Sequence, residues 1–195
     1  MLALVLDTST PAVTAGLVDL DDLSVVAEVV EVDARRHGEL LAGNVQQVLL
    51  HGVPELVVVG VGPGPFTGLR VGIVTAAAFA EARGLPVRGV CSLDGLAAPG
   101  TGVVTDARRK EVYWARYDDD GRRVDGPHVS DPAVARAALQ GGRVVGDGAL
   151  LHGFATEDSP RYPLVALLAA AARHEDLPLT PLYLRRPDAV EVAAR

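Results

Sequence analysis

Apolar residues in the first half of the chain occur in short runs and at alternating positions, a pattern typical of β-strands. This pattern predicts strands at residues 2–6, 12–19, 24–32, 56–61 and 86–91. Between them, apolar positions recur with helical spacing and predict helices at residues 36–51 and 66–83. Each predicted helix is closed by a glycine and a proline, Gly52 with Pro54 and Gly84 with Pro86. Three strands followed by helix, strand, helix and strand predict a mixed sheet with helices packed on it.

The second half of the chain repeats features of the first half. Two pairs of aspartates share a twelve-residue spacing, Asp7 with Asp19 and Asp106 with Asp118. The run VVVGVG at residues 57–62 is echoed by VVGDG at residues 144–148. Such internal similarity predicts two related lobes, residues 1–98 and a smaller lobe at residues 99–195, each with an aspartate at the tip of its first strand.

Two interpretations of Asp7 and Asp106 remain open at this point. Opposed carboxylates at strand ends, with glycine-rich turns nearby, can hold a magnesium nucleotide in a cleft. Aspartates in turns also commonly accept hydrogen bonds from their own backbone and then have a purely structural role.

Charge and cysteine content narrow the class of protein. The chain has 195 residues and a net charge of −7, so we expect no long-range attraction to nucleic acid or to an acidic membrane. The single cysteine, Cys91, excludes an internal disulfide and is typical of a reducing compartment. The apolar start of the chain lacks the basic residues of a signal peptide, and the apolar run at residues 164–172 is too short for a membrane span. These features predict a soluble cytoplasmic protein.

The glycine-rich segment GVGPGPFTGLRVG, residues 60–72, matches neither the Walker motif nor the GxGxxG dinucleotide motif. Within the helix predicted after it, small residues recur every four positions at Gly68, Gly72, Ala76 and Ala80. Each glycine inside a helix lowers helix stability by about 1 kcal/mol relative to alanine. A close packing contact along the small residues must therefore compensate for this loss. The neighbour is either a helix or sheet of this chain or the helix of a partner protein.

Several blocks of the sequence together resemble the TsaB (YeaZ) family. They are DTST at 7–10, RRH at 35–37, GPGPFTGLRVG at 62–72, DARRKEVYWARY at 106–117 and PLYLR at 181–185. The resemblance implies an α/β fold of the actin-like (ASKHA, RNase H-like) type with two duplicated lobes, mixed sheets and a reduced second lobe. It also implies a non-catalytic subunit in the threonylcarbamoyl modification of the tRNA adenosine next to the anticodon.

The resemblance implies partners as well. We expect binding of a TsaD-like catalytic subunit through the first-lobe helices, at Gly68, Gly72, Ala76, Ala80, Leu69, Ile73, His37 and Leu41. A TsaE-like ATPase would complete the assembly, tRNA would be contacted only indirectly, and the isolated chain can form a homodimer. The family's superfamily also implies a remnant nucleotide-binding turn at Asp7, Thr8, Ser9 and Asp106.

We expect no catalytic residue, metal or cofactor in this chain. The TsaD proteins carry a metal-binding HxxxH after the fifth strand, and here the two histidine positions are Ser92 and Leu96. Leucine cannot bind a metal and serine seldom does. Two alternatives stay open: an ATP-dependent small-molecule kinase of the same superfamily, and a homodimer that acts without a partner.

Overall fold

The first half of the chain forms a five-stranded mixed sheet. The computed structural model describes residues 1–140, 142–154 and 162–185. The first sheet and its helices comprise β1 (Leu2–Asp7), β2 (Ala12–Asp19), β3 (Val25–Val32), α1 (His37–Val48), β4 (Leu56–Gly60), α2 (Phe66–Arg83) and β5 (Val87–Val90). The strand order is β3-β2-β1-β4-β5, with β1 antiparallel to β2 and parallel to β4. Every strand and helix predicted for this half is therefore present, and α1 continues into a 3-10 turn over Leu49–His51.

The second sheet repeats the strand order of the first. Its elements are β6 (Thr101–Arg108), β7 (Glu111–Tyr117), β8 (Arg123–Ser130), α3 (Pro132–Ala138), β9 (Arg143–Val145) and α4 (Asp147–Leu151). The order β8-β7-β6-β9 corresponds strand for strand to β3-β2-β1-β4, and β9 is parallel to β6 as β4 is to β1. Repeated order and direction agree with the internal similarity in the sequence, and within the described residues the second sheet has one strand fewer.

The last helix, α5 (Val165–Ala171), returns to the first sheet. Its buried residues Val165 and Leu168 pack in one apolar cluster with residues of β1 and β4 such as Val5 and Val58. A Cβ atom at Gly16 of β2 would lie 2.8 Å from Val165, so glycine there permits the close approach of α5. The predicted division at residues 98 and 99 falls between the two sheets, but α5 lies against the sheet of the first lobe.

A C-terminal strap, residues 177–185, runs across both lobes. Leu177 N donates to Gly89 O at 2.8 Å, and Leu182 N donates to Val61 O at 2.8 Å. At the other end, Arg185 Nη1 donates to the carbonyl oxygen of Ala107 in β6 at 2.9 Å. The strap therefore connects the edge of the first sheet with the second.

A largely buried ion-pair cluster also holds the two lobes together. Arg123 of β8 donates from Nε to Asp94 Oδ1 at 3.0 Å and from Nη2 to Glu175. Tyr117 OH donates to the same Asp94 oxygen at 2.6 Å, and Cys91 N donates to Glu175 Oε2 at 2.8 Å. Each carboxylate thus has an ionic partner and at least one further hydrogen bond, which is what burial of these charges requires.

The small-residue ridge of α2 lies inside the protein, against the end of β1. Thr8 Oγ1 donates to Gly68 O at 2.8 Å. A Cβ atom at Gly68 would lie 2.4 Å from Thr8 O, and one at Gly72 would lie 2.4 Å from Thr8 Oγ1. Ala76 and Ala80 continue the ridge into the apolar core between α1, α2 and the sheet. The two helical glycines are therefore explained by the close approach of α2 to β1.

We predict that Gly68→Ala destabilises the fold, because the added methyl group meets a backbone oxygen that has no room to move away. Overpacking of this kind typically costs about 1–3 kcal/mol of the free energy of unfolding, measurable by urea denaturation. Gly43→Ala is the matched control, since its Cβ would meet nothing within 4 Å in α1. The control is expected to raise stability by up to about 1 kcal/mol through helix propensity. Equal effects of the two substitutions would contradict this explanation.

Candidate functional site

A cavity of about 380 Å³ lies between the two lobes. Its wall on the first lobe is formed by the N-terminal ends of α1 and α2, and its wall on the second lobe by the end of β6 and by Tyr113 of β7. Tyr183 and Arg185 of the strap complete the wall. We call it the interlobe cavity.

The turn at Asp7, Thr8 and Ser9 is closed to solvent and does not line this cavity. The relative exposures of these three residues are 1%, 0% and 4%. Ser9 donates to Asp7 Oδ1 from its backbone nitrogen at 2.9 Å and from its hydroxyl at 2.7 Å. Asp7 Oδ2 lies beside the Ser92 hydroxyl without a well-aligned hydrogen bond among the described residues. A Cβ atom at Gly60 would lie 1.9 Å from Oδ2, so the carboxyl is enclosed on that side too.

Burial raises the pKa of the Asp7 carboxyl above its ordinary value, and the nearby Ser92 hydroxyl and the two hydrogen bonds from Ser9 limit the rise. Asp106, by contrast, lines the interlobe cavity. Its Oδ1 accepts from Arg108 N at 3.0 Å and lies 3.5 Å from His152 Nε2. Of the four residues expected in a remnant nucleotide site, the structure thus places only Asp106 at the cavity, and it supports the turn interpretation for Asp7.

The residues expected to bind a partner are buried within this chain. The set comprises Gly68, Leu69, Gly72, Ile73, Ala76 and Ala80 of α2 with His37 and Leu41 of α1. The apolar members belong to the core of the first lobe, and His37 Nε2 is hydrogen-bonded to Thr10 O at 2.9 Å. His37 and Gly68 also line the interlobe cavity, and the other residues are packed inside the first lobe, which corrects the expectation that the ridge meets a partner's helix. A partner would have to bind the opposite side of the two helices.

That opposite side is exposed and carries no charge in its central part, a feature that was not predicted from the sequence. Ala42 and Gln46 of α1 and Val74 and Ala78 of α2 are exposed, and Val74 is 64% exposed. We call these four residues the outer helical face. The signal was present in the sequence, because residues 40–50 and 71–80 contain no charged residue although 22% of the chain is charged. A solvent-facing helix normally carries charges on its exposed side.

The two residues at the expected position of a TsaD metal site are buried. Ser92 and Leu96 lie in a short 3-10 helix after β5, and each is 1% exposed. Burial raises the pKa of the neighbouring Cys91 thiol, so it does not supply a thiolate nucleophile. Among the described residues, no group of three or more His, Cys, Asp or Glu residues could hold a metal ion. The absence of a metal in the whole chain stays a prediction.

The hairpin between β6 and β7 presents a basic tip beside the interlobe cavity. Arg108, Arg109 and Lys110 are exposed and all have positive φ angles, 62°, 50° and 65°. Asparagine or glycine usually occupies hairpin positions with positive φ. Any other residue raises the conformational free energy of the folded chain there by about 1–3 kcal/mol. The tip of the hairpin therefore has three long basic side chains at positions where the backbone conformation favours other residues.

Two aromatic rings lie at the same mouth of the cavity. Phe66 at the start of α2 stacks on Tyr183 of the strap, with ring centroids 4.7 Å apart and an interplanar angle of 19°. The Arg70 guanidinium lies 3.9 Å from the Phe66 ring centroid, and its Nε donates to Tyr183 OH at 3.0 Å. Both rings remain well exposed, at 43% and 38%.

Two lobes with the same strand order, closed over a cavity, define an actin-like α/β protein, as expected from the sequence. A crystal structure from Pseudomonas aeruginosa, described as an uncharacterized protein with similarity to peptidase YEAZ, has a TM-score of 0.78 and 26% identity to this chain, and the match covers 94% of this chain and 99% of that one. A second structure, YeaZ from Pseudomonas aeruginosa, has a TM-score of 0.75 and 24% identity, with 94% and 100% covered, and supports the fold alone.

Sequence comparisons identify the family. The family model "TsaD: tRNA N6-adenosine threonylcarbamoyltransferase" matches residues 25–150. An uncharacterized protein of Mycobacterium tuberculosis is 49% identical, with 97% of this chain and 94% of that protein covered. The tRNA threonylcarbamoyladenosine biosynthesis protein TsaB of Escherichia coli is 35% identical, with 62% of this chain and 56% of that protein covered. The chain belongs to the TsaB (YeaZ) family, and over residues 25–150 it is also similar to the TsaD proteins.

No helix in the described ranges is both long and apolar enough to cross a membrane.

We predict that Asp7→Asn changes the pH dependence of stability. Folding raises the pKa of Asp7, so the wild-type chain loses stability as pH rises from the ordinary carboxyl range towards the folded-state pKa. The loss is at most about 1.4 kcal/mol per pH unit, and asparagine removes it while keeping an oxygen for the Ser9 hydrogen bonds.

Urea denaturation of both proteins across this pH range measures the effect. The stability of the variant relative to wild type should increase with pH and then level off. Asp120→Asn, at an exposed position, is the control and should show no such trend. A difference between Asp7→Asn and wild type that is constant with pH would contradict an Asp7 pKa raised by burial.

Proposed function

We propose that the chain is the non-catalytic subunit that binds a TsaD-like catalytic subunit and supports threonylcarbamoyl transfer to the tRNA adenosine next to the anticodon. The proposal is supported by two relatives, from Escherichia coli and Bacillus subtilis, which are both named tRNA threonylcarbamoyladenosine biosynthesis protein TsaB. The buried Ser92, Leu96 and Cys91 support the absence of catalysis. The assembly with a TsaE-like ATPase and the cytoplasmic location belong to the same proposal.

The outer helical face is the single observation that supports the proposed position of the partner interface. Gln46 of α1 and Val74 and Ala78 of α2 lie on exposed sides of helices that both cover the same face of the first sheet. The absence of charge on this exposed surface is typical of the core of a protein interface, where charged residues are depleted. Small side chains there also allow the helices of a partner to approach closely.

The test is co-purification of this chain with the TsaD-like subunit encoded in the same genome. We predict that Val74→Arg, which places a charge in the middle of the outer helical face, reduces affinity for that subunit by about tenfold or more, because a charge without a partner is buried there. The variant should keep the wild-type unfolding midpoint, since Val74 is 64% exposed.

Leu151→Arg is the matched control, because Leu151 is 67% exposed on the second lobe. It should bind the TsaD-like subunit as wild type does. Equal binding by both variants would contradict an interface on the outer helical face. Formation of threonylcarbamoyladenosine by the chain without a partner would contradict the non-catalytic role. Sizing of the isolated chain with and without Val74→Arg tests whether a homodimer uses the same face.

The alternative of an ATP-dependent kinase makes a different prediction. A magnesium nucleotide needs accessible carboxylates, and the carboxyl of Asp7 is buried. We therefore expect calorimetry with magnesium ATP to show no saturable binding at micromolar concentrations. A micromolar dissociation constant that is abolished by Asp7→Ala would favour the kinase.

A further inference from the structure

We propose that the mouth of the interlobe cavity binds a single-stranded segment of RNA directly. This inference rests on the proposed function and deepens it, because it replaces the expected indirect contact with tRNA by a contact at defined residues. It is carried by the cations and the aromatic rings that meet at this mouth.

Three cations at or beside the cavity, Arg35, Arg108 and Lys110, have no partner of opposite charge among the described residues. Arg35, before α1, and Arg108, at the end of β6, both line the cavity and are exposed. No side-chain hydrogen bond or ion pair joins Arg35, Arg108 or Lys110 to another described residue. Many acidic residues give the chain its net charge of −7, yet these cations stay unpaired. Remote acidic groups are screened within about 8 Å at physiological salt, so the local positive charge decides what binds here.

The aromatic pair supplies a surface for bases. The chain has eight aromatic residues in all, three Phe, four Tyr and one Trp, and two of them stack on each other at this exposed site. Arg70 holds both rings, through its position over Phe66 and its hydrogen bond to Tyr183. Exposed rings beside a positively charged groove are the usual combination for single-stranded nucleic acid, since bases stack on the rings and phosphates meet the cations.

The surrounding residues favour RNA over a free nucleoside triphosphate. A triphosphate is bound with magnesium, which requires carboxylates, and Asp7 is enclosed in the first lobe. Asp106 accepts a hydrogen bond from the hairpin backbone and lies next to His152. A phosphodiester carries one negative charge and needs no metal, so unpaired arginines suffice to bind it.

The test measures fluorescence anisotropy of a labelled RNA hairpin with a long single-stranded loop. The full chain is titrated alone and in complex with the TsaD-like subunit. Tyr183→Leu should weaken RNA binding by about tenfold, the effect of losing one stacked base. Arg35→Gln combined with Arg108→Gln should weaken binding and reduce the slope of log affinity against log salt by about 1.4, for two phosphate contacts on a single strand.

The matched control is Arg83→Gln, since Arg83 is exposed at the far end of α2 and does not line the cavity. It should bind RNA as wild type does. The double arginine variant changes exposed side chains only, so it decides the question even where Tyr183→Leu unfolds. RNA affinity and salt slope equal to wild type in the arginine variant would overturn the proposal. Competition by adenosine monophosphate at the concentration of the RNA would also overturn it, in favour of a free nucleotide.

Partner binding is measured on the same variants, which separates this inference from the proposed function. All of them should still bind the TsaD-like subunit, because none lies on the outer helical face. Loss of RNA binding with partner binding retained supports the RNA contact. RNA binding by the chain alone without any binding of the TsaD-like subunit would leave the RNA contact standing and refute the partner interface.

Discussion

The close contact between α2 and the end of β1 is the constraint on which the first lobe depends. Thr8 donates to the backbone of Gly68, and the absence of a side chain at Gly68 and Gly72 lets the helix reach that position. The contact encloses the turn at Asp7 and orients α2 about its axis. It therefore decides which α2 residues are core and which are available to a partner.

The elements could be predicted from the sequence because their signals are local. Alternation, helical spacing and closing glycines predicted the strands and helices of the first half to within a few residues, and the repeated aspartate spacing predicted a second, related lobe. The orientation of α2 could not be predicted in this way. A small-residue ridge indicates that something packs closely, but it has the same period whether the neighbour is Thr8 of this chain or the helix of another.

Asp7 illustrates the same limit at the candidate site. An aspartate at a strand end is a metal ligand when its carboxyl is open and a structural residue when it is enclosed, and both have the same local sequence. Its enclosure comes from Gly60 and Ser92, which lie far from it in the chain and close to it in space. The enclosure of Asp7 can be recognised only in the structure. The uncharged stretches of α1 and α2, by contrast, can be recognised in the sequence alone.

The distribution of charge separates two surfaces that share one helix. The middle of α2 is uncharged on its exposed side, whereas its first turns carry Phe66 and Arg70, which line or adjoin the cavity that Arg35 and Arg108 also line. Because Phe66 and Arg70 belong to the same helix as Val74, a partner bound to the middle of α2 would have a defined position relative to these two side chains. Binding at the outer helical face would therefore fix the orientation of Phe66 and Arg70 relative to that partner. The proposed partner interface and the proposed RNA contact would therefore share one rigid element, α2.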